Sequence, residues 1–308
     1  MNDSSTYIVN FLSGLLPPAL FEICKKFIVA YPDISEIRIR RAQQVIFTLD
    51  VRNIVSAFYC DVKLFDETLN RLIGNDRYKK SNTITEGIIS LDGGFRVGIV
   101  GSALLDKGEL INIYSITALN IRLPHDYKNS SLRLYEYLTT LPFQHRSTLL
   151  IAPPCSGKTT VLRDIARILS SPPVSERVCV VDPKLELSAF RDNNAIHMDI
   201  FSGYPTPLGI ELATRYFNPR YIVCDEIGQV DELKAIESAT HSGIPIIASA
   251  HSSSLQEALS KPVLRELLEE TVFYNVVKLS LVRGETRFDF YGRKEVERAL
   301  CAPKYSLV

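Results

Sequence analysis

The sequence predicts an α/β protein with two domains, a smaller α+β domain followed by a domain built on a parallel sheet. The chain has 308 residues, about twice the usual length of one domain. In residues 1–123, apolar and charged side chains alternate over short segments, as in strands with one buried face. After residue 147, the strands are nearly continuous apolar runs separated by helical segments. Such runs are typical of a parallel sheet covered on both faces.

The composition excludes disordered, collagen-like and low-complexity proteins. Apolar residues make up 46% of the chain and charged residues 23%, as in an ordinary globular protein. The 35 basic and 35 acidic side chains leave no net charge, so we expect no nucleic-acid partner.

Features of membrane and secreted proteins are not visible in the sequence. It has no apolar run of about 18 residues and no basic start followed by an apolar stretch. The six cysteines have no zinc-like spacing and suit a reducing compartment. We therefore expect a cytoplasmic protein without a zinc site.

We expect the N-terminal domain to cover residues 1–123. Apolar residues at helical spacing over 8–30, interrupted by Pro17 and Pro18, predict one or two short helices. Residues 64–75 predict another helix. Strands with one buried face are predicted at Glu36–Arg40, Val45–Leu49, Gly87–Leu91, Phe95–Gly101 and Ser115–Leu123.

Residues 124–146 are polar and flanked by prolines, so we expect a linker with one short helix over 132–138. The second domain then covers 147–308. Its apolar strands are predicted at Thr148–Ile151, Val178–Val181, Tyr221–Cys224 and Ile244–Ala248. Two last strands, over 276–282 and 286–291, predict a hairpin added at the edge of the sheet.

The loop between the strand at 148 and the next helix carries the strongest functional signal. Gly157, Lys158 and Thr159 open the helix, where backbone N–H groups and the helix dipole favour a polyphosphate. In a loop of this kind a solvent-facing Lys158 reaches the β- and γ-phosphates, and the Thr159 hydroxyl holds Mg²⁺. We therefore expect ATP and Mg²⁺ at Ala152, Pro153, Pro154, Cys155, Ser156, Gly157, Lys158, Thr159 and Thr160.

This loop departs from the pattern G-x-x-x-x-G-K-[ST] of phosphate-binding loops. Ala152 stands where the first glycine is expected, and Cys155 where related loops often have glycine. Both changes add a β-carbon where the backbone must approach phosphate closely. A thiol beside Lys158 at a helix start is also expected to react early with alkylating reagents.

Two further apolar strands end in acidic residues. Asp225 and Glu226 follow Tyr221–Cys224, where Asp225 would bind Mg²⁺ through water and Glu226 would polarise the attacking water. Asp182 and Glu186 follow the strand at 178. Ligands of open α/β sheets bind at the carboxyl ends of strands, which favours a functional site over merely solvated strand ends.

Ser249 and His251 lie at the end of a third strand. A polar side chain at this position can sense the γ-phosphate. A lone histidine at a strand end is also often a structural residue, and both interpretations stay open.

Several of these motifs resemble those of known ATPases. Asp182–Glu186 resembles the "Asp box" of secretion and pilus-retraction ATPases, and Ala239–His251 their "His box", with Ile244 in place of its first histidine. The resemblance is closer to the stage III sporulation protein AA family and spans about residues 34–300. Its motifs stand at Glu36–Arg40, Gly94–Gly101, Asn120–His125, Leu162–Arg167, Cys224–Gly228 and Ala248–Leu255. Pro183-Lys184-Leu185 departs from the more polar run usual in that family.

The resemblance implies a RecA-like, P-loop ATPase domain at the C-terminus and a smaller N-terminal domain. It also implies a homo-oligomer, a hexameric ring, docked to membrane channel or secretion components between mother cell and forespore. The protein would then be peripherally associated with the membrane through these partners. In similar ATPases, arginines of the N-terminal domain reach the nucleotide, which makes Arg96 and Arg122 candidates. Glu186 becomes the second candidate for the catalytic carboxylate.

The sequence suggests three candidate functions. The first is an ATPase that drives a sporulation channel. The second is a nucleotide-binding assembly scaffold with little or no hydrolysis, favoured by the altered loop. The third, a nucleic-acid motor, is disfavoured by the charge balance and by the missing basic and aromatic stretch. Arg96 and Arg122 can also be ordinary charges on the exposed face of a strand.

Overall fold

The computed structural model of the chain describes residues 3–49, 52–74, 87–154, 156–189, 194–282 and 285–301. The chain divides into two compact units, residues 1–126 and 127–308. Most of the segment predicted as a linker therefore belongs to the second unit. The reason is its short helix, because Leu134 and Leu138 are buried in the core of that unit.

The described part of the first unit has three α-helices, α1 (Asp3–Leu15), α2 (Pro18–Ala30) and α3 (Val62–Ile73). Pro18 stands in the first turn of α2, where its missing N–H costs no hydrogen bond. The prolines therefore divide the predicted helical segment into two helices. At the start of α3, the Asp61 side chain accepts a hydrogen bond of 2.8 Å from the N–H of Leu64.

Within the described residues of the first unit, six strands form an antiparallel sheet in the order β3-β2-β1-β6-β5-β4. They are β1 (Ile34–Arg40), β2 (Gln43–Leu49), β3 (Arg52–Cys60), β4 (Ile88–Ser90), β5 (Arg96–Asp106) and β6 (Glu109–Arg122). Strand β3 was not predicted, because most of its side chains are exposed. The outer parts of β5 and β6 were also missed, since residues 102–112 bury no side chain.

Within the described residues of the second unit, seven strands form one sheet in the order β13-β12-β7-β11-β10-β8-β9. They are β7 (Thr148–Ala152), β8 (Val178–Asp182), β9 (Met198–Ser202), β10 (Tyr221–Cys224), β11 (Ile246–His251), β12 (Asn275–Val282) and β13 (Glu285–Tyr291). Neighbouring strands from β12 to β9 are parallel, and β13 is antiparallel to β12 at the edge. Strand β9 was missed because it lies at the other edge and buries only Phe201.

Helices cover both faces of this sheet. They are α4 (Leu132–Thr139), α5 (Lys158–Ser170), α6 (Thr206–Tyr216), α7 (Leu233–His241), α8 (Leu255–Ser260), α9 (Pro262–Glu269) and α10 (Arg293–Cys301). Along β10, Tyr221 and Val223 pack in one core cluster, and Ile222 and Cys224 in the other. In the described ranges, no helix combines the length and the apolar character needed to cross a membrane.

The parallel arrangement brings four strand ends together. Cys224 at the end of β10 pairs with Val181 of β8 on one side and with Ala248 of β11 on the other. His251 of β11 pairs with Ala152 of β7. The residues that follow these strands are therefore neighbours at one edge of the sheet, although they are distant in the sequence.

Candidate active site

The loop after β7 leads from a buried strand into α5. Every residue of β7 is buried, while Pro153 and Pro154 are exposed and Ser156 is buried. Gly157 precedes the helix in the left-handed conformation, with a φ of 84°, which a β-carbon disfavours. Cys155 lies outside the described residues, so its place in the loop stays a prediction.

The first turn of α5 is suited to an anion. It contains Lys158, Thr159 and Thr160. The N–H groups of a first helical turn point out of the end of the helix, toward any group that lies before it. The helix dipole adds a partial positive charge at this end. This end of α5 can therefore accept the phosphates predicted from the sequence.

Lys158 is buried, with 7% of its surface exposed, whereas the sequence predicted a solvent-facing lysine. Its Nζ donates to the carbonyls of Ala152 and Pro153 at 2.9 Å each. These oxygens replace water around the ammonium, which allows its burial. Nζ also lies 3.0 Å from Nδ1 of His251. Because an ammonium cannot accept, Nδ1 is the acceptor and the imidazole proton belongs on Nε2.

Asp225 is held by two hydroxyl groups. The Thr159 hydroxyl donates to Oδ2 at 2.8 Å, and the Ser249 hydroxyl donates to Oδ1 at 2.5 Å. Asp225 and Ser249 are 8% and 0% exposed. Ser249 thus supports the carboxylate, and its predicted contact with phosphate stays a prediction.

The donor set around Asp225 fits Mg²⁺. Hydroxyl and carboxylate oxygens are the ligands that this hard cation takes, with water and phosphate oxygens filling the remaining positions. Among the described residues, no three His, Cys, Asp or Glu side chains are grouped to hold a metal ion by themselves. Thr159 and Asp225 therefore suit a magnesium ion that arrives with a nucleotide.

The backbone bends sharply after β10. Glu226 has a φ of 45°, which is uncommon for a residue with a side chain. Its N–H donates to Oδ1 of Asp225 at 3.0 Å and to the Ser249 hydroxyl oxygen at 3.1 Å. The N–H of Ile227 donates to the Ser249 carbonyl at 2.7 Å. These bonds to β11 fix the direction in which the Glu226 side chain leaves the sheet.

The Glu226 carboxylate lies between two cationic or donor groups. Oε2 accepts from Lys184 Nζ, and Oε1 lies 3.3 Å from His251 Nε2. Partial burial by itself would raise the pKa of Glu226. The hydrogen bond and charge of Lys184, with the electrostatic attraction of His251 and Lys158, nevertheless hold this pKa below its usual value. Glu226 is therefore an ionised carboxylate at neutral pH.

The other acidic strand end has a structural task. Asp182 is 1% exposed and accepts hydrogen bonds from the N–H groups of Glu186 at 2.9 Å and Ser188 at 2.7 Å. The Glu186 carbonyl accepts from Arg163 at 2.8 Å. A catalytic role of Glu186 stays a prediction. In the sequence, Lys184 is marked only as part of a departure from the family pattern. Its contact with Glu226 was therefore not predicted.

Arg96 and Arg122 lie opposite each other on β5 and β6 of the first unit. Nε of Arg122 lies 3.7 Å from Oε1 of Glu36. Burial would raise the pKa of Glu36, but hydrogen bonds from Arg38 and Asn120 and the charges of both its arginine neighbours lower it. Glu36 is thus a charged partner for Arg122. Contact of either predicted arginine with a nucleotide stays a prediction.

Two solved structures share this architecture. The chain is similar to the Legionella pneumophila ATPase DotB, with a TM-score of 0.63 and 17% identity over 92% of this chain and 83% of that one. It is similar to the pilus retraction motor PilT, solved with bound ADP, with a TM-score of 0.63 and 13% identity over 87% and 81%. These similarities confirm the predicted fold, an α/β protein with a RecA-like P-loop domain after a smaller α+β domain.

Sequence comparisons give the family. The chain is 29% identical over 226 residues to stage III sporulation protein AA of Bacillus subtilis (strain 168), covering 70% of this chain and 72% of that protein. The family model described as "Sporulation stage III, protein AA" matches residues 7–294. Because this match covers nearly the whole chain, including both units and the motifs quoted from the sequence, the protein belongs to the sporulation stage III protein AA family.

Proposed function

We propose that this protein is an ATPase of the sporulation apparatus, which binds Mg-ATP at the carboxyl edge of its parallel sheet. One observation carries the proposal. Lys158, Thr159, Asp225 and Glu226 come from two separate sequence motifs and form one connected cluster at the start of α5. This combination of lysine, hydroxyl and two carboxylates is the set that phosphoryl transfer requires.

The phosphates would bind at the first turn of α5. There they would meet the N–H groups of this turn and take over Lys158 from its carbonyl and imidazole acceptors. A charge-assisted bond to phosphate is stronger than a bond to a neutral carbonyl, so this exchange is favourable. Thr159 and Asp225 would hold Mg²⁺, which supplies positive charge at the β- and γ-phosphate oxygens when bound.

Glu226 would act on the water. An ionised carboxylate can accept the proton as the water oxygen bonds to the γ-phosphorus and the bond to the β–γ bridging oxygen breaks. ADP and inorganic phosphate then leave. His251 can respond to both nucleotide binding and the reaction, because it contacts both Lys158 and Glu226.

Assembly into a ring and docking to membrane components extend this proposal. The two structural neighbours support an ATPase that acts as a motor, since DotB is an ATPase and PilT a retraction motor. In such a ring, Arg96 and Arg122 of one subunit would complete the site of another.

A nucleotide-binding scaffold is the second candidate. Ala152 in the first glycine position and the engagement of Lys158 by loop carbonyls favour it, because both restrain the loop. Such a protein would bind ATP and assemble without turnover.

Steady-state phosphate release from Mg-ATP, with and without single-stranded DNA, separates these functions. An ATPase of the channel releases phosphate without DNA, and a nucleic-acid motor is stimulated by it. A scaffold binds a fluorescent ATP analogue but releases no phosphate from Mg-ATP. Lys158→Ala should abolish binding or turnover without unfolding the protein, and unchanged binding in this variant would contradict the site.

A further inference from the structure

Four charged or polar side chains form a row across the carboxyl edge of the second sheet. They follow the strand order β7, β11, β10 and β8, as Lys158, His251, Glu226 and Lys184. Each contacts the next, from Lys158 Nζ to His251 Nδ1, from His251 Nε2 to Glu226 Oε1, and from Glu226 Oε2 to Lys184 Nζ. The first three belong to the proposed ATPase site, whereas the proposed function assigns no role to Lys184.

We infer that Lys184 is a positioning residue for Glu226, which it holds by Oε2 so that Oε1 faces the reacting water. This inference rests on the proposed function. It assigns a role to a position where the chain departs from the family pattern, and it requires no contact between Lys184 and the nucleotide.

The contacts of Glu226 differ in how they respond to a nucleotide. The bond to His251 depends on Lys158, whose donation to Nδ1 sets the proton on Nε2. When phosphate takes Lys158, this support for the imidazole is removed. Lys184 lies on the far side of Glu226, so its bond to Oε2 persists through binding. It is thus the contact that can hold the carboxylate at the moment of reaction.

The turn that carries Lys184 is itself firmly held. Pro183 before it has a fixed φ, and the buried Asp182 carboxylate binds the N–H groups of Glu186 and Ser188 after it. An ammonium on such a turn is restrained at its base, although the side chain is half-exposed. Fixing a reactive group in this way preserves the geometry on which catalysis depends.

The test uses the full chain, three nucleotide ligands and a turnover assay. Binding of Mg-ADP, a fluorescent non-hydrolysable ATP analogue and ADP with aluminium fluoride, a mimic of the transition state, is measured together with phosphate release. The variants are Lys184→Met, Lys184→Gln and the conservative Lys184→Arg. Lys234→Met, which removes an exposed lysine of α7, is the matched control.

Loss of a positioning residue should spare binding and impair the reaction. In Lys184→Met and Lys184→Gln we expect the affinities for Mg-ADP and the ATP analogue to change less than about twofold, as for an exposed ion pair. Affinity for ADP with aluminium fluoride and the turnover rate should both fall by about 10- to 100-fold. Lys184→Arg should retain most of both, and Lys234→Met should behave as the wild type.

The Glu226→Gln background identifies the route of the effect. Replacing Lys184 there should change nothing further, because the group it positions is already lost. The opposite result is that replacing Lys184 lowers the affinity for the ATP analogue equally in the wild-type and Glu226→Gln backgrounds. That result would mean that Lys184 contacts phosphate directly, and it would overturn the inference. Unchanged affinity for ADP with aluminium fluoride in Lys184→Met and Lys184→Gln would also overturn it. If the wild type does not bind the ATP analogue, the proposed function itself fails.

Discussion

Removing the Ser249 hydroxyl tests how the carboxylate of Asp225 is held. Ser249→Ala deletes one buried donor to Oδ1 of Asp225 and the acceptor of one Glu226 N–H bond. A buried hydrogen bond to a charged group contributes about 1.5–3 kcal/mol. Asp225 keeps its bonds from Thr159 and from the Glu226 N–H, so the loss should lie in the lower part of this range. We expect the free energy of unfolding to fall by about 2 kcal/mol.

Urea unfolding, followed by circular dichroism, measures this change, and the slope of the transition should not alter. The control is Ser253→Ala, which removes a hydroxyl that also donates to a carboxylate, that of Glu257, but at an exposed site. It should leave the free energy of unfolding nearly unchanged, because water replaces the lost bond. If Ser249→Ala is as stable as the wild type, or costs no more than the control, the carboxylate of Asp225 is not held in this way.

Three further predictions concern other parts of the chain. Arg122→Ala should leave nucleotide binding nearly intact and slow phosphate release in assembled protein by up to about 10³-fold, and unchanged release would favour an ordinary surface charge. A small alkylating reagent should modify the exposed Cys301 and also Cys155 early, with Mg-ATP protecting Cys155. Burial raises the pKa of Cys179 to about 12, so peptide mass spectrometry should find it unmodified. Burial lowers the pKa of His125 despite opposing contributions, so folding favours its neutral form. Its contribution to stability should fall as the pH drops below about 6.5, and urea titrations of His125→Gln should show a weaker loss.

The sequence predicted those parts of the fold in which burial dictates residue type. All residues of β7, β8 and β10 are buried, and their apolar runs mark them clearly. Strands β3 and β9 were missed for the opposite reason, because partly exposed edge strands carry mixed side chains. Pairing with neighbours, rather than local composition, makes these segments strands.

The site was predictable as a set of residues but not as a network. Local motifs marked Lys158, Asp225 and Glu226, since each lies directly after a buried strand or at a helix start. The burial of Lys158 was not predictable, because it depends on how the loop carbonyls turn. The contact of Lys184 with Glu226 joins two turns 42 residues apart, and only the parallel order of β8 and β10 brings them together.

Glu226→Gln tests the central claim, hydrolysis of ATP at the edge of the parallel sheet. The measurement is steady-state phosphate release from Mg-ATP, made on protein shown to bind a fluorescent ATP analogue. The amide keeps the size of the side chain but cannot take the proton, so we expect binding close to that of the wild type and turnover lower by about 10²-fold or more. The Glu186→Gln variant, measured in parallel, should retain turnover. Normal turnover in Glu226→Gln, with a loss in Glu186→Gln, would contradict the account and move the catalytic role to Glu186.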